Sequence, residues 1–250
     1  MLFFSQQGED LYILKNYINK KNPSGIFVEV GALDGIAYSN TGFLEMELGF
    51  SGVLIEPSKS YEKLLKYRPG CTCVNNAISD KYETVLFRDD WAMSGILTKL
   101  SDDHKREKRH EAINDEYYEV DTVPLGYVLS ETNIKYIDFL SIDVEGSELE
   151  VLRSMNWDIP VYVICIEMDG HNPEKDEACR EILQTNGFTF DKRLTINEFW
   201  VNKNYHRTME LFDSENPYIE WDSFKHVKDL GDFILLEPNV VDEVQRAILG

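Results

Sequence analysis

Short apolar runs alternate along this chain with longer stretches in which apolar positions recur every three or four residues. The runs are rich in β-branched and aromatic residues, which is typical of strands buried on both faces of a parallel sheet. The pattern predicts such strands at residues 26–30, 52–56, 71–78, 137–143 and 161–167, and weaker ones at 84–88, 117–123, 188–191 and 198–201. The longer stretches predict helices at residues 39–48, 58–67, 124–132, 147–155 and 174–186.

The order of these elements predicts the fold class. Strands and helices follow one another with short connections, which builds an α/β fold with a doubly wound, mostly parallel sheet. We expect one domain over residues 1–201 and a C-terminal extension over residues 202–250, which is rich in aromatic and acidic residues. The extension contains a predicted strand at 233–236 and a predicted helix at 240–249. A dimer contact, a lid over the site and a simple tail all fit its sequence.

The chain is strongly acidic, and its charge narrows the set of partners. Its 250 residues are 43% hydrophobic, as in a folded globular protein, and carry a net charge of −20. Such a charge disfavours nucleic acids and anionic membranes, and the one basic run, at residues 99–110, mixes both signs. The N-terminus lacks a signal-peptide pattern, no apolar run approaches the roughly 18 residues of a membrane helix, and the four cysteines lack metal or redox spacing. We therefore expect a cytoplasmic protein with reduced thiols.

The first strand runs into a glycine turn in the sequence IFVEVGALDG, residues 26–35. Gly31 and Gly35 supply turn dihedrals and allow a ligand to approach the backbone, and Glu29 lies near the strand's carboxyl end, where open α/β sheets bind ligands. The turn lacks the middle glycine of the dinucleotide fingerprint, and Asp34 occupies a position that a pyrophosphate would approach. An acid there favours S-adenosylmethionine, which has no diphosphate, over NAD. A plain strand-to-helix connection is the alternative.

Acidic residues recur at the predicted strand ends. Glu29, Glu56, Asp143 and Glu167 fall near the ends of four strands, and so many carboxylates at one edge of a sheet indicate a bound ligand. Glu56 follows the glycine turn at the distance at which an acid accepts hydrogen bonds from both hydroxyls of a ribose. Glu145 follows Asp143 closely, and an alternative to a ligand contact for Glu145 is that it caps the start of the following helix.

The sequence after the fifth strand alternates acidic and basic side chains. Glu167, Asp169 and His171 face the same way if the backbone stays extended, and they could deprotonate a hydroxyl group. A divalent metal held by Asp143, Glu167 and Asp169 is a further reading, although the residues do not require one. An ordinary Asp-Gly turn explains Asp169 and Gly170 equally well.

Five stretches of the chain, in their order, resemble the FkbM family of methyltransferases. They are SQQGEDLYI (5–13), FVEVGALDGIAYSNT (27–41), GVLIEPS (52–58), NNAISD (75–80) and IDFLSIDVEGSELEVL (137–152). The resemblance extends over approximately residues 5–200. It implies the Rossmann-like fold of class I methyltransferases and methylation by S-adenosyl-L-methionine, most often of an oxygen on a sugar, polyketide or other small metabolite.

The resemblance also implies roles for individual residues. It places the N-terminal segment around Gln7 as a cap over the cofactor, Glu56 on the ribose and Asp143 beside the methionine amino group or the acceptor. The cofactor-binding set that it implies is Gln7, Glu29, Gly31, Gly35, Glu56, Asn76, Ala77, Ile78 and Asp143.

A hydroxyl acceptor requires a base, because a neutral hydroxyl is a poor nucleophile. The candidates are Asp143, Glu167 and His171, and a histidine best suits proton transfer near neutral pH. We expect a small-molecule acceptor such as a sugar or glycan, and a homodimer through the extension is a further hypothesis. Aromatic side chains that could stack on a sugar, or belong to the core, are Trp91, Trp200, Tyr205, Tyr218 and Trp221.

Two rival functions fit parts of the pattern. An NAD-dependent oxidoreductase or epimerase also uses a glycine turn and an acid at the position of Glu56. A non-catalytic binding protein on the same fold predicts no affinity for a cofactor.

Overall fold

A computed structural model describes residues 2–18, 25–102, 105, 116–205 and 225–226. Its main sheet contains seven strands: β2 (Ile26–Val30), β3 (Ser51–Ile55), β4 (Thr72–Val74), β9 (Ile137–Ile142), β10 (Val161–Glu167), β11 (Thr189–Leu194) and β12 (Asn197–Val201). Their order across the sheet is β11-β12-β10-β9-β2-β3-β4. The strands from β4 to β10 pair in parallel, and β12 runs antiparallel to both β10 and β11. The predicted doubly wound, mostly parallel α/β sheet is therefore confirmed.

Five of the six α-helices in the described part of the chain correspond to predicted ones, although most are shorter, and the first was not predicted. They are α1 (Glu9–Tyr17), α2 (Gly42–Met46), α3 (Tyr61–Tyr67), α4 (Leu125–Glu131), α5 (Glu148–Ser154) and α6 (Pro173–Thr185). The longest, α6, begins with a proline after Asn172, whose side chain accepts a hydrogen bond from the amide of Lys175. Such an N-terminal cap satisfies one of the free amides of the first helical turn.

Two apolar clusters pack on opposite faces of the main sheet because neighbouring strand residues point to opposite sides. Phe27, Leu54 and Phe139 belong to one cluster, and Val28 and Leu140 belong to the other. Every residue of β9 and β10 is buried. The central strands thus form a rigid platform whose carboxyl ends share one edge.

The predicted single strand at 71–78 is wrong. The structure divides it into β4, at the edge of the main sheet, and β5 (Ala77–Ile78), which belongs to a second sheet. The break lies at two asparagines: the Asn75 side chain donates to the Glu56 carbonyl at 2.8 Å, and the Asn76 side chain donates to the Asp121 carbonyl at 3.2 Å. These two side-chain hydrogen bonds tie the break to other segments of the chain.

The second sheet has the order β5-β8-β6-β7 and contains β6 (Thr84–Asp89), β7 (Gly95–Ile96) and β8 (Glu116–Val123). The sequence predicts two of its strands, at 84–88 and 117–123, but not their pairing into a separate sheet. A short strand β1 (Leu2–Phe3) also pairs in parallel with β13 (Lys225–His226). The predicted elements at 233–236 and 240–249 lie outside the described residues.

Candidate active site

The carboxyl ends of the central strands open into a cavity of about 330 Å³. It lies where the strand order reverses, because the chain moves outward from β2 to β3 and β4 and later returns to β9 on the other side of β2. Open α/β sheets bind ligands at such a switch point, and pockets of about 300–1,000 Å³ accommodate small molecules. The predicted site residues that line it are Gln7, Gly31, Glu56, Asn76, Ala77, Ile78, Asp143, Glu167, Asp169 and His171.

Gly31 brings the ends of two central strands together at the cavity. Its φ is +86°, and a Cβ atom at this position would collide with the backbone carbonyl of Asp143. The amide of Asp143 in turn donates to the carbonyl of Val30 at 3.0 Å. The glycine is therefore required by this close packing as well as by its dihedral angle.

Gly35 and Glu29, which the resemblance placed around the cofactor, do not line the cavity. A Cβ at Gly35 would instead meet the side chains of Leu64 and Arg68, so this glycine allows the loop to pack on α3. The prediction that these two residues contact the cofactor directly is therefore not supported by the cavity lining.

The Glu29 carboxylate holds the loop that follows the glycine turn. It accepts hydrogen bonds from the Ser39 hydroxyl at 2.9 Å, the Asn40 amide at 2.8 Å and the Thr41 hydroxyl at 2.6 Å. Burial raises its pKa, while the guanidinium of Arg68 and these donors act in the opposite direction. Its role is to fix the loop from behind the cavity.

Asp34 also points away from the cavity, which corrects the argument against a diphosphate. Its carboxylate accepts hydrogen bonds from the amides of Ile36 at 3.0 Å and Ala37 at 2.8 Å within its own loop. The prediction that this site disfavours a diphosphate depends on other acids instead. Among the described lining residues, five are acidic, one is a histidine and none is lysine or arginine; the acids are Glu56, Asp143, Glu145, Glu167 and Asp169.

Glu56 lies in the cavity wall directly after β3. Its two carboxylate oxygens accept one backbone amide each, from Leu33 at 2.7 Å and from Ser58 at 2.8 Å. Each oxygen retains further acceptor capacity. Burial raises the pKa of Glu56 to about 7, against the opposing effect of the hydrogen bonds from Ser58 and Leu33.

The break between β4 and β5 supplies another part of the wall. Asn76, Ala77 and Ile78 line the cavity, and Ala77 and Ile78 are buried in β5. The N-terminal segment reaches the same cavity through Gln7, whose amide donates to Glu9 at 2.8 Å. Glu9 also accepts a hydrogen bond from the Asn197 side chain at 2.8 Å, which anchors this segment to β12.

Asp143 and Glu167 lie together with Glu145 at one end of the cavity. One carboxylate oxygen from each lies within 4.8 Å of the others. Burial and nearby acids raise the pKa of Asp143 to about 7 and the pKa of Glu167 well above its ordinary value. The sequence left open the alternative that Glu145 is a helix-start acid, but Glu148 has that role, accepting from the Gly146 amide at 3.0 Å.

Asp169 pairs with His171 instead of joining the three acids. The His171 ring nitrogen Nδ1 lies 2.6 Å from Asp169 Oδ2, and the His171 amide donates to Asp169 Oδ1 at 2.9 Å. Burial opposes ionisation of Asp169, but the hydrogen bonds from His171 and the nearby charge of Lys175 together lower its pKa. The pair fixes the imidazole ring through one nitrogen.

An aromatic pair that the sequence did not reveal also lines the cavity. The rings of Tyr38 and Trp91 meet edge to face with centroids 5.3 Å apart, and both residues have a positive φ. Of these two residues, only Trp91 was among the aromatic candidates named from sequence. Trp200 is buried in the core, Tyr205 does not line the cavity, and Tyr218 and Trp221 lie outside the described residues.

Three further predictions concern membrane spans, the basic run and the cysteines. Each helix within the described ranges falls short of the length and apolarity needed to cross a membrane. Most of the mixed basic run at 99–110 lies outside the described residues. The four cysteines are all free.

Comparisons with known proteins were made for the sequence and for the fold. A family model described as the methyltransferase FkbM domain matches residues 29–190, which is more than half of the chain. No curated protein matches the sequence.

Two of three similar solved structures are described as methyltransferases, and the third is described as a complex with the cofactor product S-adenosylhomocysteine. A methyltransferase FkbM from Methylobacillus flagellatus KT has 15% identity and a TM-score of 0.44; the match covers 71% of this chain and 43% of that one, so this chain spans less than half of its length. A precorrin-6y C5,15-methyltransferase from Geobacter metallireducens GS-15 has 9% identity and a TM-score of 0.41, with 78% and 86% covered. TrmK from M. capricolum, in complex with S-adenosylhomocysteine, has 12% identity and a TM-score of 0.39, with 92% and 89% covered.

Proposed function

The chain belongs to the FkbM methyltransferase domain family, and on that premise we propose that it methylates a hydroxyl oxygen of a small, uncharged acceptor such as a sugar. Members of this family use S-adenosylmethionine, and the proposed reaction therefore takes its methyl group from that cofactor.

The cavity has features that fit S-adenosylmethionine. Its acidic lining suits a ligand with a cationic sulfonium and amino group, and it disfavours a ligand with a diphosphate. In our proposal Glu56 accepts the ribose hydroxyls with its remaining lone pairs, Asn76, Ala77 and Ile78 flank the adenine, and Gly31 lies against the methionine part. Gln7 belongs to the segment that closes over the cofactor.

The pairing of His171 with Asp169 is the single observation that carries the proposed chemistry. A nucleophilic hydroxyl must lose its proton as it attacks, and a base in the transition state contributes roughly 10²–10⁴-fold. Because Nδ1 of His171 lies against the Asp169 carboxylate, the opposite ring nitrogen, Nε2, is the atom that can take this proton. Asp169 then stabilises the charged ring.

The remaining chemistry is positioning. S-adenosylmethionine supplies the methyl group on a sulfonium, and transfer leaves neutral S-adenosylhomocysteine. The acceptor oxygen forms the new bond to carbon as its proton passes to His171. Holding the two reactants in line provides much of the acceleration in such a displacement. Asp143 and Glu167, which also line the cavity, are the alternative bases.

The proposal is tested by methyl transfer from isotopically labelled S-adenosylmethionine to a panel of neutral sugars, with an amine panel alongside. We expect label on a sugar oxygen. We expect His171→Ala to lower kcat by about 10²–10⁴-fold while leaving the affinity for S-adenosylhomocysteine unchanged. Glu174→Gln, an exposed acid near the start of α6 that does not line the cavity, serves as the control.

Two results would contradict the proposal in different ways. Label on nitrogen would remove the oxygen specificity, and full activity of His171→Ala would assign the base to Asp143 or Glu167. The oxidoreductase and binding-protein readings predict no methyl transfer at all.

A further inference from the structure

Three carboxylates from two neighbouring strand ends converge at one end of the cavity. Asp143 follows β9, Glu145 lies in the next turn and Glu167 ends β10, and their oxygens lie within 4.8 Å of one another. We propose that Asp143, Glu145 and Glu167 bind a hard divalent cation beside the cofactor site. This inference goes beyond the proposed methyl transfer and does not depend on the identity of the acceptor.

Two basic side chains that follow Glu167 in the sequence are engaged by other acids of the described residues. Lys175 bonds to Glu148 at 2.5 Å, and His171 bonds to Asp169 at 2.6 Å. Within the described part of the chain, His171 is the only basic residue in the cavity lining. Gathering carboxylates in a buried place is unfavourable unless a cation or a proton offsets their repulsion.

A fourth oxygen in the same lining points to a ligand independently of the acids. Ser147 is only 3% exposed, and its hydroxyl has no hydrogen-bond partner among the described residues. It precedes α5, yet its side chain makes no capping bond to that helix. A buried hydroxyl without a partner calls for an explanation, such as an ion or a water that the protein binds.

The donor atoms select the class of cation. Carboxylate and hydroxyl oxygens are the ligands that Mg²⁺, Mn²⁺ and Ca²⁺ prefer, whereas zinc and copper sites favour nitrogen and sulfur. These hard cations take six or more oxygens, so three or four from the protein leave positions for water and an acceptor oxygen. The cluster also revises the metal set considered from sequence, because Glu145 replaces Asp169.

Titration of the chelator-treated full chain with Mn²⁺, followed by the electron paramagnetic resonance signal of the free ion, tests this site. We expect one high-affinity Mn²⁺ per chain, displaced by Mg²⁺ or Ca²⁺. Glu145→Gln and Glu167→Gln should each weaken binding by at least about tenfold, since even indirect partners of a metal ligand change affinity by 10–100-fold. Glu56→Gln removes a carboxylate from the same cavity but outside the cluster, and it should leave the affinity within about threefold.

Thermal unfolding gives a second readout that separates ligands from structural residues. Without metal, Glu167→Gln should unfold at a higher temperature than the wild type because it relieves repulsion. With Mn²⁺ added, the wild type and Glu56→Gln should gain more stability than Glu145→Gln or Glu167→Gln. If Glu167→Gln does not fold, Glu145→Gln, in the turn, retains the test. Absence of tight Mn²⁺ binding, or an equal loss in Glu56→Gln, would overturn the proposal, because the latter indicates attraction to overall negative charge.

Discussion

Glu56 shows how one buried carboxylate can hold its own loop and still have capacity for a ligand. Each of its oxygens accepts one backbone amide, from Leu33 or Ser58, and keeps a lone pair for another donor. Glu29, by contrast, uses its oxygens on three donors of its own loop. Both acids lie near the carboxyl end of a strand, but only the Glu56 side chain lines the cavity.

Replacing Glu56 by Gln should weaken the binding of S-adenosylhomocysteine by at least about tenfold. A hydrogen bond to a charged group is worth about 1.5–3 kcal/mol, and 1.4 kcal/mol corresponds to a factor of ten. Titration calorimetry measures this change, with the exposed α3 residue Glu62→Gln as the control. Unchanged affinity in Glu56→Gln would exclude the ribose role.

Residue types and spacing were sufficient to locate most of the site but not to orient it. Asp143, Glu167 and His171 were predicted from their places after strands, and all three line the cavity. Asp34 and Gly35 were misread because a loop side chain can satisfy its own backbone or pack on a helix. Tyr38 was missed because its positive φ leaves no trace in the sequence.

At the level of elements, long apolar strands were predictable and short ones were not. The predicted strand at 161–167 coincides with β10, because seven consecutive buried residues leave no alternative to a central strand. The segment 71–78 also contains apolar residues, but it includes two asparagines whose side chains bond to other segments of the chain. The resulting division creates β5 and so brings Ala77 into the cavity wall.

The glycine after β2 provides a test at this level. Gly31→Ala introduces both a strained φ and a collision with the Asp143 carbonyl, whereas Gly49→Ala introduces a strained φ of +69° with no atom within 4 Å. We expect Gly49→Ala to cost about 1–2 kcal/mol of unfolding free energy and Gly31→Ala at least about 2 kcal/mol more. Urea denaturation of both variants measures the difference. Equal losses would show that the two strand ends do not need this close packing.

At the level of the whole molecule, buried acids link stability to pH. Burial raises the pKa of Glu56 from 4.5 to about 7 and also raises the pKa values of Asp10, Glu29 and Asp34. The folded chain therefore retains these protons at pH values at which the unfolded chain has released them. The unfolding free energy should consequently fall as the pH rises from about 4.5 to 7.

The contribution of Glu56 to this slope should be roughly 3 kcal/mol, since one pKa unit corresponds to about 1.4 kcal/mol. Urea denaturation without cofactor and with chelator, between pH 4.5 and 8, measures the slope for the wild type and Glu56→Gln. The variant should show a flatter profile. A wild-type stability that rises through this range would mean that Glu56 is ionised in the folded chain without penalty.

We propose that residues 1–201 act as one methyltransferase domain with the N-terminal segment as its cap. In support, Gln7 lines the cavity, and Glu9 bonds to Asn197 of β12. The resemblance predicted the position of Gln7, whereas the bond between Glu9 and Asn197 joins residues far apart in the sequence, which no local pattern predicts. The role of 202–250, including the hypothesis of a dimer, stays a prediction because most of that range lies outside the described residues.

Titration calorimetry of the full chain tests most directly whether the acid-lined cavity holds S-adenosylmethionine. We predict binding of S-adenosylhomocysteine at one site per chain and no binding of NAD. The absence of lysine and arginine from the described cavity lining is the physical reason for the second result. Binding of NAD with no heat from S-adenosylhomocysteine would contradict this assignment of the cavity and would favour a dinucleotide-binding role for the glycine turn.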